Sequence, residues 1–202
     1  MAKPPNNSRR EAFRLCPHEN YSFDMPSAAA TLVHMAESFA EYRERVLGYL
    51  GPRDPMRVLA ATPRRLVGII EGQRRPALAR RPAPGKWSTV EIAAHLADAE
   101  LAFGWRIRSM LASPGVSLGW WDEHLWSEKC VYARVPVRES LATFSALRSS
   151  NLALLRRVPP AVQAAAYGVH EKRGRQSVHE FVVMEAAHDL NHLSQIHRLL
   201  QR

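Results

Sequence analysis

The chain has 202 residues, of which 46% are hydrophobic and 23% charged, which is enough to bury the core of one globular domain. No run reaches the roughly 18 apolar residues of a membrane span and no apolar stretch marks a signal peptide, so we expect a cytoplasmic protein that does not cross a membrane. The net charge of +9 would suit an acidic partner, but the arginines are spread along the chain, and we do not expect nucleic acid as the main partner.

The first 86 residues predict an arm followed by two helical segments. Residues 1–26 are polar, contain prolines and show no period, which is typical of a mobile or surface-draped arm. Residues 27–50 have helical character and stop at Gly51-Pro52. Residues 55–71 carry an apolar stripe and predict a helix with a kink or a break at Pro63. The proline-rich segment 72–86 predicts a connection with little structure of its own.

Residues 88–111 give the clearest helical signal. Ser88 and Glu91, three residues apart, form the pattern of a capping box at the helix start. Trp87 and Ile92 flank this cap at the positions of a hydrophobic staple.

Two further helices and two loops complete the chain. Residues 112–136 predict a long aromatic-rich loop, residues 137–158 an amphipathic helix, and residues 159–176 a second loop. Ser177 and Glu180 repeat the capping-box pattern and open a helix that runs to the C-terminus.

These elements predict an all-α fold. Segments with a period of two residues are scarce, and strands do not alternate with helices. We expect four core helices in an antiparallel-type bundle over residues 54–202, preceded by an N-terminal extension, residues 1–53, that carries one helix.

Three histidines lie on apolar helix faces and form the candidate metal site. His188 and His192 are one turn apart on the last helix, a spacing that suits two nitrogens on one ion. His95 lies on the apolar face of the helix that starts at Ser88, and it is the third candidate ligand. A histidine on such a face is more often a satisfied core residue, so a core role remains the alternative for each of them.

The other histidines and the acidic residues carry weaker signals. His170, in a loop near a helix start, is the only other histidine that we keep as a possible site residue. Solvent or loop positions are expected for His34, His124, His179 and His197. The carboxylates that could orient the imidazoles are Glu91, Glu100, Glu185 and Asp189. For Glu91 the capping box is the favoured role. A general base could come from Asp122, Glu123 or His124, unless the neighbouring tryptophans only cap the bundle and the acids are solvated.

The remaining motifs exclude several classes of site. Cys16 and Cys130 are far apart and show no metal-like spacing, so a reduced protein is expected. The sequence contains no serine or cysteine triad signature, and "GKWS" lacks the upstream glycine of a phosphate-binding loop.

Four stretches resemble the helix signatures of the DinB/YfiT-like superfamily. The segment "GKWSTVEIAAHLADAE" resembles its second helix, with a Trp-Ser start and a first histidine, and "AAHDLNHLSQI" resembles its fourth helix, with two histidines four apart. The segments "DPMRVLAATPRRLVGIIEG" and "RESLATFSALRSSNLALLRRV" resemble the first and third helices. The resemblance covers roughly residues 54–201.

The resemblance implies a four-helix bundle in which His95, His188 and His192 bind a divalent metal with open coordination positions. Zinc, nickel and iron all accept imidazole ligands. Three neutral ligands leave the ion its charge, which acidifies a bound water and ionises a bound thiol. The expected function is a metal-dependent hydrolase or a thiol-dependent S-transferase that uses a low-molecular-weight thiol as cosubstrate. The alternative is a non-catalytic stress-response or binding module. We expect a small-molecule substrate and a homodimer.

Overall fold

Capping boxes open three helices in the part of the chain that the computed structural model describes, residues 38–201. In each box a serine hydroxyl accepts a hydrogen bond from the backbone N–H three residues on, and the glutamate at that position accepts one from the serine N–H. The pairs are Ser38–Glu41, Ser88–Glu91 and Ser177–Glu180. The two capping boxes predicted from the sequence are therefore confirmed.

The structure contains eight α-helices and three short strands in the described residues. The helices are α1 (Phe39–Leu50), α2 (Pro55–Ile70), α3 (Arg75–Ala79), α4 (Thr89–Ala112), α5 (Glu123–Lys129), α6 (Val137–Arg157), α7 (Pro160–Ala165) and α8 (Val178–Leu200). The strands are β1 (Val116–Leu118), β2 (Tyr167–His170) and β3 (Gly174–Ser177), and a 3-10 helix covers Tyr132–Arg134.

Four long helices form the predicted bundle, which is confirmed. Around the bundle, α2 packs on α6, α6 on α4, α4 on α8, and α8 again on α2. The core between them consists of apolar side chains with no exposed surface, among them Leu59, Ile92, Leu96, Phe144 and Ile196. None of the helices in residues 38–201 is both long and apolar enough to cross a bilayer.

Helix α1 is the helix expected in the N-terminal extension. It packs along α8, buries Val46 and Leu50, and donates a hydrogen bond from Arg45 Nη1 to Asn191 Oδ1 at 3.3 Å. The division of the chain at residue 53 remains a prediction. The expected arm, residues 1–26, the first part of the helical segment 27–50, and the residues Cys16 and His34 lie outside the described residues.

The predicted loops contain more structure than expected. The segment 112–136 holds β1, α5 and the 3-10 helix, and the segment 159–176 holds α7, β2 and most of β3. Strand β1 pairs in parallel with β2, which pairs antiparallel with β3. Each strand is only three or four residues long, too short to show an alternating pattern. The proline-rich segment 72–86 likewise contains α3, whose Leu78 is buried.

Helix α2 runs through Pro63 as one helix, so of the predicted kink or break the break is wrong, and the kink stays a prediction. A proline has no N–H to donate to the carbonyl four residues earlier, which here belongs to Leu59. The Leu59 oxygen accepts a hydrogen bond from Arg148 Nη1 at 3.0 Å instead. The carbonyl that proline leaves free in a buried helix is therefore satisfied by another helix.

Arg148 of α6 is the centre of a buried polar network. Its guanidinium donates to Glu100 of α4 at 2.8 Å and to both carboxylate oxygens of Asp189 of α8 at 2.6 and 3.1 Å. Asn151, also on α6, donates to Glu100 Oε1 at 2.7 Å. Arg148, Glu100 and Asp189 have almost no exposed surface. The Arg148 pKa is raised because the favourable field of these carboxylates outweighs burial, so the side chain stays charged.

Replacing Arg148 with methionine should destabilise the fold strongly. The change leaves the buried carboxylates without a counter-charge and the Leu59 carbonyl without a donor. We expect the free energy of unfolding to fall by about 3–5 kcal/mol in urea titrations. Arg156→Met, at an exposed position of the same helix, is the matched control and should change it by less than about 1 kcal/mol. Equal effects of the two substitutions would contradict this role for Arg148.

Candidate metal centre

Helices α4 and α8 bring His95, His188 and His192 together. The Nε2 atom of His188 lies 3.1 Å from Nε2 of His95 and 3.0 Å from Nε2 of His192. The three rings are tilted steeply against each other, at 60° to 77°, so they meet through their edges. His95 and His192 are buried, and His188 is partly buried. The structure thus places the three sequence candidates in one cluster.

The donor geometry of this cluster fits a divalent ion. Two imidazole nitrogens that each lie about 2.0–2.1 Å from one zinc ion are separated by about 2.9–3.4 Å. The two observed separations fall inside that range. His192 Nδ1 lies 3.0 Å from Gln195 Oε1, an acceptor, so Nδ1 carries the proton and Nε2 presents a lone pair to the cluster.

Burial keeps the imidazoles neutral. Burial lowers the pKa of His188 to about 4 and the pKa of His192 to about 3. The charge of Arg148 lowers the His188 pKa further, and the neighbouring His188 lowers the His192 pKa further. The pKa of His95 is lowered well below its usual value by burial and by the other two histidines. All three side chains can therefore act as metal ligands at neutral pH without first losing a proton.

Aromatic rings surround His95. The Trp87 ring lies 4.8 Å from the imidazole, and Trp121, from the segment before α5, stacks on it at 5.7 Å and 23°. Trp126 packs against Trp121 at 4.8 Å. These rings exclude water from one side of the cluster. The sequence identified Trp87 only as part of a helix start, and nothing in it linked Trp121 to His95.

Glu185 is a carboxylate that lies beside the histidine cluster, next to His188. One of its oxygens lies within 4.8 Å of a His188 nitrogen. Its Oε1 atom and His188 Nδ1 are both buried without a hydrogen-bond partner, and they are complementary as acceptor and donor. Burial and the neighbouring Glu100 and Asp189 raise the Glu185 pKa well above its usual value.

The other acidic candidates have structural roles. Glu91 caps α4 and pairs with Arg81, as the favoured interpretation held. Glu100 and Asp189 are held by Arg148 and are not hydrogen-bonded to the imidazoles. Asp122 caps α5 through the backbone N–H groups of residues 124 and 125.

A cavity opens directly beside two of the histidines. It has a volume of about 80 Å³, and His95, His188, Glu185 and Tyr42 contribute to its wall. Burial and the nearby Glu123 raise the Tyr42 pKa to about 12, so its hydroxyl is a hydrogen-bond donor at neutral pH. A second cavity of about 330 Å³ shares Tyr42, Trp121 and other residues with the first and lies next to it.

A comparison with known families identifies the chain. The model of the DinB superfamily matches residues 58–196, which include the four bundle helices almost entirely and all three histidines. The chain belongs to the DinB superfamily. No curated protein matches the sequence.

The fold of this DinB superfamily member resembles that of a solved structure. It is YfiT from Bacillus subtilis, described as a probable metal-dependent hydrolase with an unusual four-helix bundle topology. The two chains superpose with a TM-score of 0.69 at 22% identity, over 73% of this chain and 85% of YfiT. At this identity the likeness establishes the fold and not the activity.

Several residues around the centre of this DinB superfamily member had no signal in the sequence. Arg106, Arg148 and Arg173 were indistinguishable from the other arginines of a basic chain. Gln195 lies three residues after His192 on the same helix face, and that spacing could have identified it as the residue that orients the imidazole.

The buried imidazoles should make the stability of metal-free protein sensitive to acid. Below pH 6.5 the histidines bind protons in the unfolded chain but not in the folded one, so their contribution is intact above that pH and is lost as the pH falls. From pH 7 to 5.5 each such histidine should remove roughly 1 kcal/mol from the free energy of unfolding. Glu185, with its raised pKa, contributes with the opposite sign.

A comparison of variants isolates the histidine contribution. Urea titrations in a chelator, at pH 7 and 5.5, should show a loss of stability for His188→Gln that is smaller than the wild-type loss by about 1 kcal/mol. His179→Gln, at an exposed position of α8, should behave like wild type. An identical pH dependence of all three proteins would show that His188 is not buried as a neutral group.

Proposed function

We propose that this protein is a metal-dependent hydrolase whose ion is held by His95, His188 and His192. The observation that carries the proposal is the convergence of the Nε2 atoms of three neutral imidazoles, two of which, His95 and His188, line a cavity. When bound, a divalent ion supplies Lewis acidity, which polarises a carbonyl and promotes loss of a proton from water or a thiol. Zinc, nickel and iron remain the candidate ions, because imidazole suits all three.

The cluster holds three ligands and leaves one side open. Three protein ligands with a free position are typical of catalytic zinc sites, whereas structural sites are closed by four. His95 and His188 line the cavity, so a small molecule entering it would meet the ligand atoms directly. This supports an enzyme over the alternative of a non-catalytic binding module.

Glu185 is the proposed acid of the reaction. Its carboxyl lies in the cavity wall beside His188, and its pKa, raised by burial and by the neighbouring Glu100 and Asp189, favours the protonated form. Such a group can donate its proton to a leaving alkoxide or amine and take one back in the next step. The Tyr42 hydroxyl, in the same wall, can donate a hydrogen bond to a substrate carbonyl.

A thiol-dependent S-transferase is the second candidate. The specific observation in its favour is the ligand set, since three imidazoles and no carboxylate leave the full charge of the ion available to ionise a thiol. The cavity that His95 and His188 line, here called the inner cavity, has apolar walls that suit a sulfur atom, formed by Phe103, Phe181 and Met184. The homodimer and the cytoplasmic location remain predictions.

Metal content tests the site. Protein purified without an affinity tag, then saturated with zinc or nickel and desalted, should carry about one ion per chain by plasma mass spectrometry. His95→Ala and His188→Ala should each lose most of it, because two imidazoles bind far more weakly than three. His197→Ala, exposed on the same helix as His188, is the control and should keep it. Failure of wild-type protein to take up either ion would contradict the proposal and favour the core role of the histidines.

Catalysis is tested on the Glu185→Gln variant. Metal-loaded protein should hydrolyse alkyl esters, whose alkoxide leaving group needs a proton, and the variant should lower kcat by about 100-fold or more while keeping its metal. A parallel assay follows consumption of a low-molecular-weight thiol with an electrophile such as 1-chloro-2,4-dinitrobenzene. Thiol consumption without ester hydrolysis would select the S-transferase. A fully loaded protein inactive in both assays would favour the binding module.

A further inference from the structure

Positive charge is concentrated in the larger cavity beside the metal centre. Arg106, Lys172 and Arg173 line it together with His170. Arg106 and Arg173 also line the inner cavity that His95 and His188 border, so the cations extend from the outer cavity towards the histidine cluster.

The two arginines have no carboxylate partner within the described residues. The Arg106 side chain is buried, with 7% relative exposure. Its guanidinium donates a hydrogen bond from Nη2 to the carbonyl oxygen of Gly119 at 2.6 Å and not to a carboxylate. Arg173 is half-buried and lies over the Phe39 ring at 4.5 Å. Burial and the proximity of Arg173 lower the Arg106 pKa, and together they outweigh the opposing charge of Glu185. A buried arginine is ordinarily paired, so these two are available for an anion.

His170 adds a neutral donor to the same cavity. Its Nδ1 atom accepts a hydrogen bond from the Lys172 backbone N–H at 3.1 Å, so the proton of the neutral ring is on Nε2. Nε2 is buried without a partner, and the side chain as a whole is 1% exposed. An unmet buried donor next to two unpaired guanidinium groups is the arrangement expected where an oxyanion binds.

The carboxylates of this cavity do not neutralise the cluster. Asp122 is occupied by the backbone N–H groups at the start of α5. Glu123 is exposed. Its charge raises the Arg173 pKa, but burial outweighs this effect, and no Glu123 oxygen lies within 4.0 Å of a cationic side-chain nitrogen in the part of the chain described.

We propose that Arg106, Arg173 and His170 form a subsite for an oxyanion group of the substrate, a carboxylate or a phosphate. Guanidinium groups bind either group through paired charge-assisted hydrogen bonds. This inference rests on the proposed function for its catalytic meaning, because the subsite would anchor one end of a substrate whose reactive bond lies at the histidine cluster. The substrates would then be small anionic esters, amides or thiol-reactive compounds, and not neutral ones.

Binding to metal-free protein tests the subsite independently of catalysis. Glutarate and inorganic phosphate are titrated into the full chain, in a chelator and at ionic strength held constant with sodium chloride. Tryptophan fluorescence provides the signal, because Trp120 and Trp121 line the cavity. Glutaramide, which has the shape of glutarate without its charge, is the ligand control. We expect saturable binding of glutarate or phosphate, whichever the site prefers, and none of glutaramide.

Matched variants locate the binding. Arg173→Gln and Arg106→Gln should each raise the dissociation constant by about tenfold or more. Arg175→Gln removes the same charge from the same hairpin, but Arg175 is exposed and lies over the Tyr167 ring, so it should change the constant by less than about twofold. Circular dichroism confirms that each variant is folded. The Arg173 side chain makes no hydrogen bond within the described residues, so Arg173→Gln carries the test if Arg106→Gln is unstable.

The outcomes separate this proposal from the metal site. Binding that survives in His188→Ala supports the subsite even if the protein takes up no metal. The absence of saturable binding of both anions, or an equal loss in Arg175→Gln and Arg173→Gln, would overturn the subsite and leave the metal-site proposal intact.

Discussion

The fold depends on one buried cation, Arg148, which connects all four bundle helices. It extends from α6 and hydrogen-bonds the Leu59 carbonyl of α2, Glu100 of α4 and Asp189 of α8. A buried ion pair contributes little net stability compared with apolar packing, but loss of one partner leaves the others unpaired. The network therefore fixes how the helices are arranged relative to one another more than it adds to the stability of the fold.

This arrangement also positions the candidate centre. Asp189 and His188 are consecutive residues of α8, and Arg148 holds Asp189 by both carboxylate oxygens. The rotation of α8 that places Asp189 on Arg148 also places His188 beside His95 of α4. Because Arg148 is hydrogen-bonded to Glu100 and Asp189, either carboxylate could bind a metal only in competition with that guanidinium. Among the buried carboxylate oxygens of the described residues, only Glu185 Oε1, next to His188, lacks a hydrogen bond, although it lies 3.7 Å from Arg148 Nη2.

The sequence predicted the parts of the molecule that follow from local periodicity. The capping boxes at Ser88 and Ser177 and the apolar stripes gave the helices, and the spacing of His188 and His192 gave two members of the cluster. His95 could be chosen as the third from its place on an apolar face. Strand β1 could not be predicted, because it pairs with β2 from a distant segment, and the β2–β3 hairpin could not, because its strands are too short to show an alternating pattern. The continuation of α2 through Pro63 could not be predicted either, because the carbonyl that the proline leaves free is bound by Arg148, 85 residues further along the chain. The anionic subsite was equally invisible, since Arg106 and Arg173 meet only in the folded chain.

The most direct test of the account is the coordination shell of the bound ion. A second group of donors, Glu185, His188 and Asp189, also lies close enough to hold a metal, so stoichiometry alone does not identify the ligands. X-ray absorption at the zinc edge of zinc-loaded protein counts the imidazoles. We expect three histidine nitrogens at about 2.0–2.1 Å with the multiple-scattering pattern of imidazole, and two in the small fraction of zinc that His95→Ala retains. A shell with a single imidazole and mainly carboxylate oxygens, unchanged in His95→Ala, would contradict it.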